Sequence, residues 1–281
     1  MPRTLCLLHA NCQGEALRPL LENTPAFARM FRVRGYVNYT REALERKDLR
    51  DCGLFLYQRL GSRWGDLATE RVLPRLSPDC RHIEIPNFFF KGYWPLWTHA
   101  QGIDFADSLL EELLARGLAP HEALRLYLRA GPRLLGDVAA VAEESLREAE
   151  KREAACPVRC APLLRERWRE EQMFLTVNHP GTALLFHLAD GLLRLLGLGG
   201  LPETARRAYR HPDGDFWLPL HPALGDLLGL PFARRDRRYP IFATALTHQE
   251  YTSCYLACRD QGAASLVAFL RGLPDGFRPA A

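Results

Sequence analysis

Four short apolar runs in the first third of the chain constrain its fold more than any other feature. They are Thr4–Leu8 (TLCLL), Phe31–Val37, Gly53–Tyr57 (GLFLY) and His82–Ile85, and the stretches between them, Glu15–Leu21, Arg41–Leu49 and Asp66–Leu76, carry helical patterns. Runs that short and that apolar suit strands buried on both faces. Each pair is separated by a helix-length segment, which a tight hairpin does not need and a parallel crossover does. The order β-α-β-α-β-α-β therefore predicts a parallel sheet covered by helices.

Beyond Pro86 the pattern changes. Asn87–His99 is an aromatic loop, and helical patterns follow at Ser108–Arg116, His121–Leu128, Leu134–Ala155 and Leu163–Gln172. Pro180 is expected in the first turn of a further helix, where its missing N–H is harmless, with the helix running to about Leu198 and stopping at Gly199-Gly200. Pro202–Thr247 reads as loop, and a last helix is expected over Gln261–Leu273. The expected fold is thus α/β, an N-terminal parallel sheet flanked by helices with a large helical C-terminal part. It forms one domain over 1–281, divided into an α/β subdomain 1–100 and a mainly helical part 101–281, with a soft boundary near Gln101.

Composition excludes several classes. An apolar content of 47% with 25% charged residues is that of a folded globular chain, not a disordered one. The net charge of +4 comes from a pool in which only Lys47, Lys91 and Lys151 are lysines, and acidic residues interleave with the arginines. No basic arm results, so no nucleic-acid partner is expected. The most apolar stretch, Thr182–Leu201, is interrupted by His187, Asp190 and Arg194, and no integral membrane segment is expected. The first strand begins almost at Met1 with no signal-peptide pattern, so the eight cysteines are expected reduced and the protein cytoplasmic. Cys156/Cys160 and Cys254/Cys258 are spaced to share a helical face and read as small buried hydrophobes; no metal is expected.

Four motifs carry chemistry. The first is His9-Ala10-Asn11-Cys12-Gln13-Gly14, between the first strand and its helix. Ligands in open α/β sheets bind outside the carboxyl ends of strands, and a helix N-terminus there lowers a thiol's pKa and receives oxyanions. Cys12 is either a nucleophile or a small turn residue, with Asn11 and Gln13 as amide donors beside it. The second is Asn178-His179-Pro180 after Met173–Val177, where Asn178 can cap the helix or donate to a ligand and His179 can act as acid and base. The third is the block Ile85–Pro95 (IPNFFFKGYWP), with Tyr93 and Trp94: either a stacking wall for an adenine or sugar, or a hydrophobic lid over the core. The fourth is Arg234-Arg235-Asp236-Arg237-Arg238, with Arg206, Arg207 and Arg210 upstream, either a phosphate site or a chance cluster in an arginine-rich chain. His221 and His248 read as structural.

Taken in order, Asn-Cys-Gln near the N-terminus, a strand leading to Gln58, the Ile-Pro-Asn…Gly-Tyr-x-Pro block and the late Asn-His-Pro before an apolar helix resemble the WcbI-type polysaccharide-biosynthesis acetyltransferase family, over about residues 4–200. The resemblance implies an N-terminal variant of the SGNH-hydrolase theme, with Cys12 where a nucleophilic serine would stand. It implies coenzyme A or acetyl-CoA as co-substrate and O-acetyl transfer to a sugar, nucleotide-sugar or polysaccharide acceptor. It places Asn11, Cys12, Gln13, Asn178 and His179 in the pocket, with Gly14 beside them. Tyr93, Trp94, Arg234, Arg235 and Arg237 are the residues assigned to the coenzyme. One departure stands out: many relatives carry a Tyr-His-Ser-like element where this chain has Phe105-Ala106-Asp107-Ser108. Ser108 corresponds, and the histidine is missing. An esterase or thioesterase, or a non-catalytic coenzyme A- or glycan-binding assembly protein, fits the same residues.

Overall fold

The computed structural model describes residues 3–100, 103–274 and 277; Gln101, at the expected soft boundary, lies outside them. The chain forms two compact units. The first comprises Met1–Phe88, Glu148–Arg165 and Pro180–Pro212; the second comprises Phe89–Arg147, Glu166–His179 and Asp213–Ala281. No single cut near residue 100 separates them.

The first unit holds the sheet. Strands β1 (Thr4–Ala10), β2 (Phe31–Val37), β3 (Cys52–Tyr57) and β4 (Arg81–Glu84) are all parallel, in the order β2-β1-β3-β4. The two central strands are the most apolar: every residue of β1 after Thr4 is buried. Leu8 of β1 lies between Gly35 of β2 and Leu56 of β3. Leu5, Leu7, Tyr36, Leu49, Phe55 and Val72 form one core cluster, and each buried aliphatic side chain stabilises by about 1.5–3 kcal/mol. The chain leaves β1 towards β2 on one side and returns to β3 on the other. A reversal of this kind opens a crevice at the carboxyl ends of β1 and β3, where doubly wound sheets bind ligands.

Helix α1 (Cys12–Glu22) begins immediately after β1. Its start needs Gly14, because a Cβ there would stand 2.9 Å from the Cβ of Ala10. Its buried face, Ala16, Leu17, Leu20 and Leu21, meets the helix Thr182–Leu195. That helix starts later than the sequence suggests. His179 and Pro180 are extended, and Gly181 is the N-cap. The residue before a proline is driven out of the α region, so Pro180 holds His179 extended instead of opening the helix, and Asn178 does not cap it. Cys156 and Cys160 also depart from expectation: both lie in the loop after the helix Val138–Arg152, not on one helical face. There the buried Glu153 carboxylate accepts from the N–H groups of Cys160 and Ala161, 2.6 and 2.7 Å away, and so caps the helix Ala161–Arg167.

The second unit is mainly helical, with features the sequence hides. The aromatic loop ends in an antiparallel hairpin, Trp97–Ala100 with Ile103–Asp107. The stretch read as loop contains the helix Ala223–Leu228 and the hairpin Tyr239–Ile241 with Thr244–Leu246. The helix expected over Gln261–Leu273 is shorter, Leu266–Arg271, and follows Gly262, whose φ is +64°. Before it stands a helix not expected from the sequence, His248–Asp260, which opens on a Thr247/Glu250 capping box. The helix Pro120–Ala130 packs on both Ser108–Ala115 and His248–Asp260. Among the described residues no helix is long and apolar enough to cross a membrane.

Asp107 closes this unit's polar interior. It caps the helix Ser108–Ala115 by accepting from Leu109 and Leu110 N–H groups at 3.0 and 3.1 Å, and it accepts the Tyr127 hydroxyl at 2.7 Å. Burial nonetheless pushes its pKa up to about 6, against the pull of those hydrogen bonds. The folded state therefore holds a proton between about pH 4, the unfolded value, and pH 6 that the unfolded chain lacks. Stability from this group is complete below the unfolded pKa and is lost as pH rises through the folded one. Asp107→Asn keeps a capping oxygen and removes the titration. Thermal unfolding of the wild type should fall relative to this variant between pH 4 and pH 7; parallel pH profiles would contradict the assignment.

Candidate active site

The carboxyl ends of β1 and β3 and the loop after β4 are joined by side-chain amides. Gln58, the first residue after β3, is 1% exposed. Its Oε1 accepts from the Asn11 N–H at 2.9 Å, and its Nε2 donates to Gln13 Oε1 at 2.8 Å and to the Pro86 carbonyl at 3.0 Å. The Gln13 amide also accepts from the Phe88 N–H and donates to the Phe88 carbonyl, at 3.0 and 2.8 Å. Asn11 caps α1 through Oδ1, which accepts from the Gln13 N–H at 2.9 Å, while its Nδ2 reaches Asn87 Oδ1 at 3.4 Å. Gly14 N–H is engaged by the Asn11 carbonyl at 2.9 Å.

The structure thus brings Asn11, Cys12, Gln13 and Gly14 into one loop at the switch crevice and gives them different stations. Gln13 is buried and wholly occupied by the network. Asn11 is half-buried. Cys12 occupies the first position of α1 and is the one cysteine of the eight that is not buried. Cys6, Cys156 and Cys254, by contrast, are buried thiols whose pKa burial pushes up. His9 is buried too, and burial pushes its pKa down to about 4, so it stays neutral within the strand. Gln58 and Asn87 are the residues a local reading undervalues. The visible signal for Gln58 is an amide closing the apolar run GLFLY.

Asn178 and His179 belong to the second unit and follow the strand Phe174–Thr176. His179 Nδ1 lies 2.7 Å from the hydroxyl of the buried Thr176, and the same hydroxyl donates to Asn178 Oδ1 at 3.1 Å. With its proton directed at Asn178, the hydroxyl oxygen accepts from Nδ1–H. In this arrangement Nδ1 carries a proton and the Thr176 hydroxyl fixes the orientation of the ring. Thr176 is therefore an orienting residue with no conspicuous sequence signal.

Tyr93 and Trp94 are core residues of the second unit. Tyr93 is 0% exposed, donates to the carbonyls of Trp168 and Glu171 and accepts from the Met173 N–H. Trp94 donates to the carbonyls of Leu218 and Pro219. Neither ring offers a face to solvent. Arg234 and Arg235 line a surface cleft, whereas Arg237 packs over Tyr239, Phe232 and Trp217 and donates to the Phe232 carbonyl. Ser108 is exposed, and the buried polar group at that element is the carboxylate of Asp107.

A parallel sheet of order β2-β1-β3-β4 with a cysteine-bearing strand-to-helix turn at its switch point defines an open α/β fold, the class in which ligand crevices lie at the carboxyl ends of the strands. Residues 5–201 match the profile of the polysaccharide biosynthesis enzyme WcbI. The chain belongs to the WcbI family of polysaccharide biosynthesis enzymes. It is also similar to a solved structure of WcbI, described as a novel polysaccharide biosynthesis enzyme in a native form without a disulfide bond between coenzyme A and one of its cysteines. The identity is 16%, the TM-score 0.74, and the match covers 96% of this chain and 94% of the other. No curated protein sequence matches the chain.

The amide network predicts its own sensitivity. Gln58→Ala leaves the Asn11 N–H, Gln13 Oε1 and Pro86 carbonyl without their partner, and a buried polar group so stranded costs about 1–3 kcal/mol. The variant should unfold at lower urea concentration, and Cys12 should become more rapidly alkylated under native conditions as the loop loosens. Unchanged stability and unchanged thiol reactivity would show that Gln58 does not hold this loop.

Proposed function

We propose that the chain transfers an acetyl group from acetyl-CoA to a hydroxyl of a sugar, nucleotide-sugar or surface-polysaccharide intermediate, with Cys12 and His179 as the reacting residues. The observation that carries this reading is the singular exposure of Cys12 at the start of α1, in a family of polysaccharide biosynthesis enzymes. The description of the similar WcbI structure supports it. A protein whose cysteine can be spoken of as disulfide-linked to coenzyme A brings the coenzyme's sulfur to that cysteine, and Cys12 is the accessible thiol here. The placement of Cys12 on the strand-to-helix turn also supports a variant of the SGNH theme, with sulfur in place of the serine oxygen.

Two routes use these residues. In the covalent route the Cys12 thiolate attacks the thioester carbonyl, the bond from carbonyl to coenzyme sulfur breaks, and coenzyme A leaves as thiolate. The sugar hydroxyl then gives its proton to His179 and attacks the acetyl-cysteine, regenerating the Cys12 thiolate. In the direct route His179 deprotonates the sugar hydroxyl, which attacks acetyl-CoA itself. In both, the Asn11 amide is the donor offered to the tetrahedral oxyanion, and Gln13 and Gly14 hold the loop that aims it. Asn178 acts through Thr176 on the ring orientation of His179. The absence of a histidine beside Ser108 favours a rival, a protein that binds coenzyme A or a glycan without turnover. Acetyl-CoA consumption with and without sugar separates transfer, hydrolysis by an esterase or thioesterase, and binding alone.

Coenzyme A should raise the melting temperature, because a ligand selective for the folded state stabilises it by mass action. His179→Ala should lose about 10²- to 10⁴-fold in rate, the usual range for a positioned acid–base, with the fold intact. Covalent transfer requires an acetyl adduct on Cys12 in the absence of sugar, seen by intact mass, and near-complete loss of rate in Cys12→Ala. The direct route predicts no adduct and a rate within about tenfold, roughly 1.4 kcal/mol. No melting shift at millimolar coenzyme A would remove the coenzyme from the account.

A further inference from the structure

The second unit carries a cleft of about 610 Å³ lined by Arg125, Arg129, Arg133, Arg234 and Arg235, with Asp226 as its single acidic residue. Arg125 and Arg129 are one turn apart on the helix Pro120–Ala130, Arg133 lies on the turn that follows, and Arg234 and Arg235 come from the loop before Tyr239. His248 and Gln249, in the first turn of the helix His248–Asp260, complete one wall.

Three observations set this cleft apart from a chance grouping in an arginine-rich chain. The first is charge balance. Removing these five arginines from the 37 basic residues, and Asp226 from the 33 acidic ones, leaves thirty-two of each. The net charge of the whole chain, +4, equals that of this lining. The second is pairing. Among the described residues Arg125, Arg129 and Arg235 meet no carboxylate, while Arg133 and Arg234 reach the exposed Asp226 and Asp236 only at 3.7 Å each. Where an arginine elsewhere does meet a carboxylate the pair is closer, as in Arg59 with Glu84 at 2.6 Å and Arg259 with Glu111 at 2.8 Å. Converging guanidinium groups repel one another, and a bound polyanion removes that cost. The third is the inner wall. His221 and His248 stand with ring centres 4.7 Å apart and line both this cleft and a smaller aromatic cavity behind it. His248 is 3% exposed, and its Nδ1 is buried with no hydrogen-bond partner among the described residues. Burial, reinforced for His221 by Arg133 and Arg235, keeps both rings neutral. His221 is held by the Tyr127 carbonyl and the Ala223 N–H, so His248 Nδ1 is the ring atom left to donate or accept a hydrogen bond without adding to the repulsion.

We propose that this cleft binds a pyrophosphate diester, two adjacent phosphates held by the five arginines at the amino-terminal end of the helix His248–Asp260. The proposal extends the phosphate role first assigned to Arg234 and Arg235, adds Arg125, Arg129 and Arg133, and leaves out Arg237. Coenzyme A and a nucleoside-diphosphate sugar both contain this group. The site itself requires only the cleft and holds whether or not acetyl transfer does.

Titration calorimetry with inorganic pyrophosphate tests it on the full chain. Wild type should bind, more weakly as salt rises, because guanidinium–phosphate attraction is screened. Arg129→Glu and Arg235→Glu should each weaken binding by at least about tenfold, since each loses a charge-assisted pair and gains a repulsion. Arg125→Gln should weaken it less. Arg71→Ala, an exposed residue paired with Asp66 in the first unit, should bind like wild type. No pyrophosphate binding by wild type in the low millimolar range, or equal binding by both charge-reversed variants, overturns the proposal. Repeating the titrations with coenzyme A and with a nucleoside-diphosphate sugar identifies the source. Weakened coenzyme binding in the reversed variants assigns the cleft to the donor; weakened sugar-nucleotide binding alone assigns it to the acceptor. If neither ligand responds, the cleft is a free-phosphate site and the diester assignment falls. Pyrophosphate binding without acetyl transfer would instead overturn only the proposed reaction.

Discussion

The first unit's candidate site depends on one buried amide. Gln58 directly follows the buried apolar strand β3, and a polar side chain in that position is tolerated only if its hydrogen bonds are complete. An amide can donate and accept at once, so Gln58 joins the backbone of Asn11, the side chain of Gln13 and the carbonyl of Pro86 in a single set. Asn11 and Gln13 belong to the turn after β1, and Pro86 to the loop after β4. Without this residue the turn after β1 would be tied to the loop after β4 only through Gln13 with Phe88 and the longer contact of Asn11 with Asn87. With it, the position of Cys12 is set by the sheet, whose parallel strands are the least deformable element of the unit.

The sheet was legible because a parallel strand must be apolar on both faces, and four such runs stood out at helix-length spacing. What local patterning could not show was pairing over distance. The division into two units follows neither the aromatic block nor residue 100, because Glu148–Arg165 and Pro180–Pro212 join the first unit through contacts far away in sequence. The hairpin Trp97–Ala100/Ile103–Asp107 was hidden for another reason: its first strand lies in an aromatic run that reads equally well as a lid. Pro180 was misplaced by weighing its missing N–H above its effect on the preceding residue. The second effect governs here, and it is what keeps His179 extended.

The candidate residues divide in the same way. Asn11, Cys12 and Gln13 are neighbours in sequence, and their turn after a strand was visible. Gln13 reads as a donor to a ligand, but its amide faces inward and serves the loop. Tyr93 and Trp94 look like a stacking wall, yet their polar atoms are bonded to backbone carbonyls within the unit, which an exposed wall would not require. Arg125, Arg129 and Arg133 carried no signal at all, since a helix with arginines one turn apart is the commonest solvated face in a chain with this composition. Only the placement of Arg234 and Arg235 beside them turns a surface into a cleft.

The two sites also differ in how they handle charge. The loop of Cys12 is built from neutral amides, so no fixed carboxylate of the network opposes ionisation of the thiol, and no buried ion needs a partner. In the arginine cleft the charge is full, but it sits at the rim, and the buried inner wall is made of imidazoles kept neutral. Placing charge where water still reaches it avoids the large desolvation cost of buried ions while leaving a field that extends for about 8 Å at physiological ionic strength. Because the rest of the chain is balanced, that field is not cancelled by a net charge elsewhere. A ligand carrying adjacent phosphates is therefore drawn to this cleft, where five guanidinium groups converge, in preference to arginines that stand singly elsewhere.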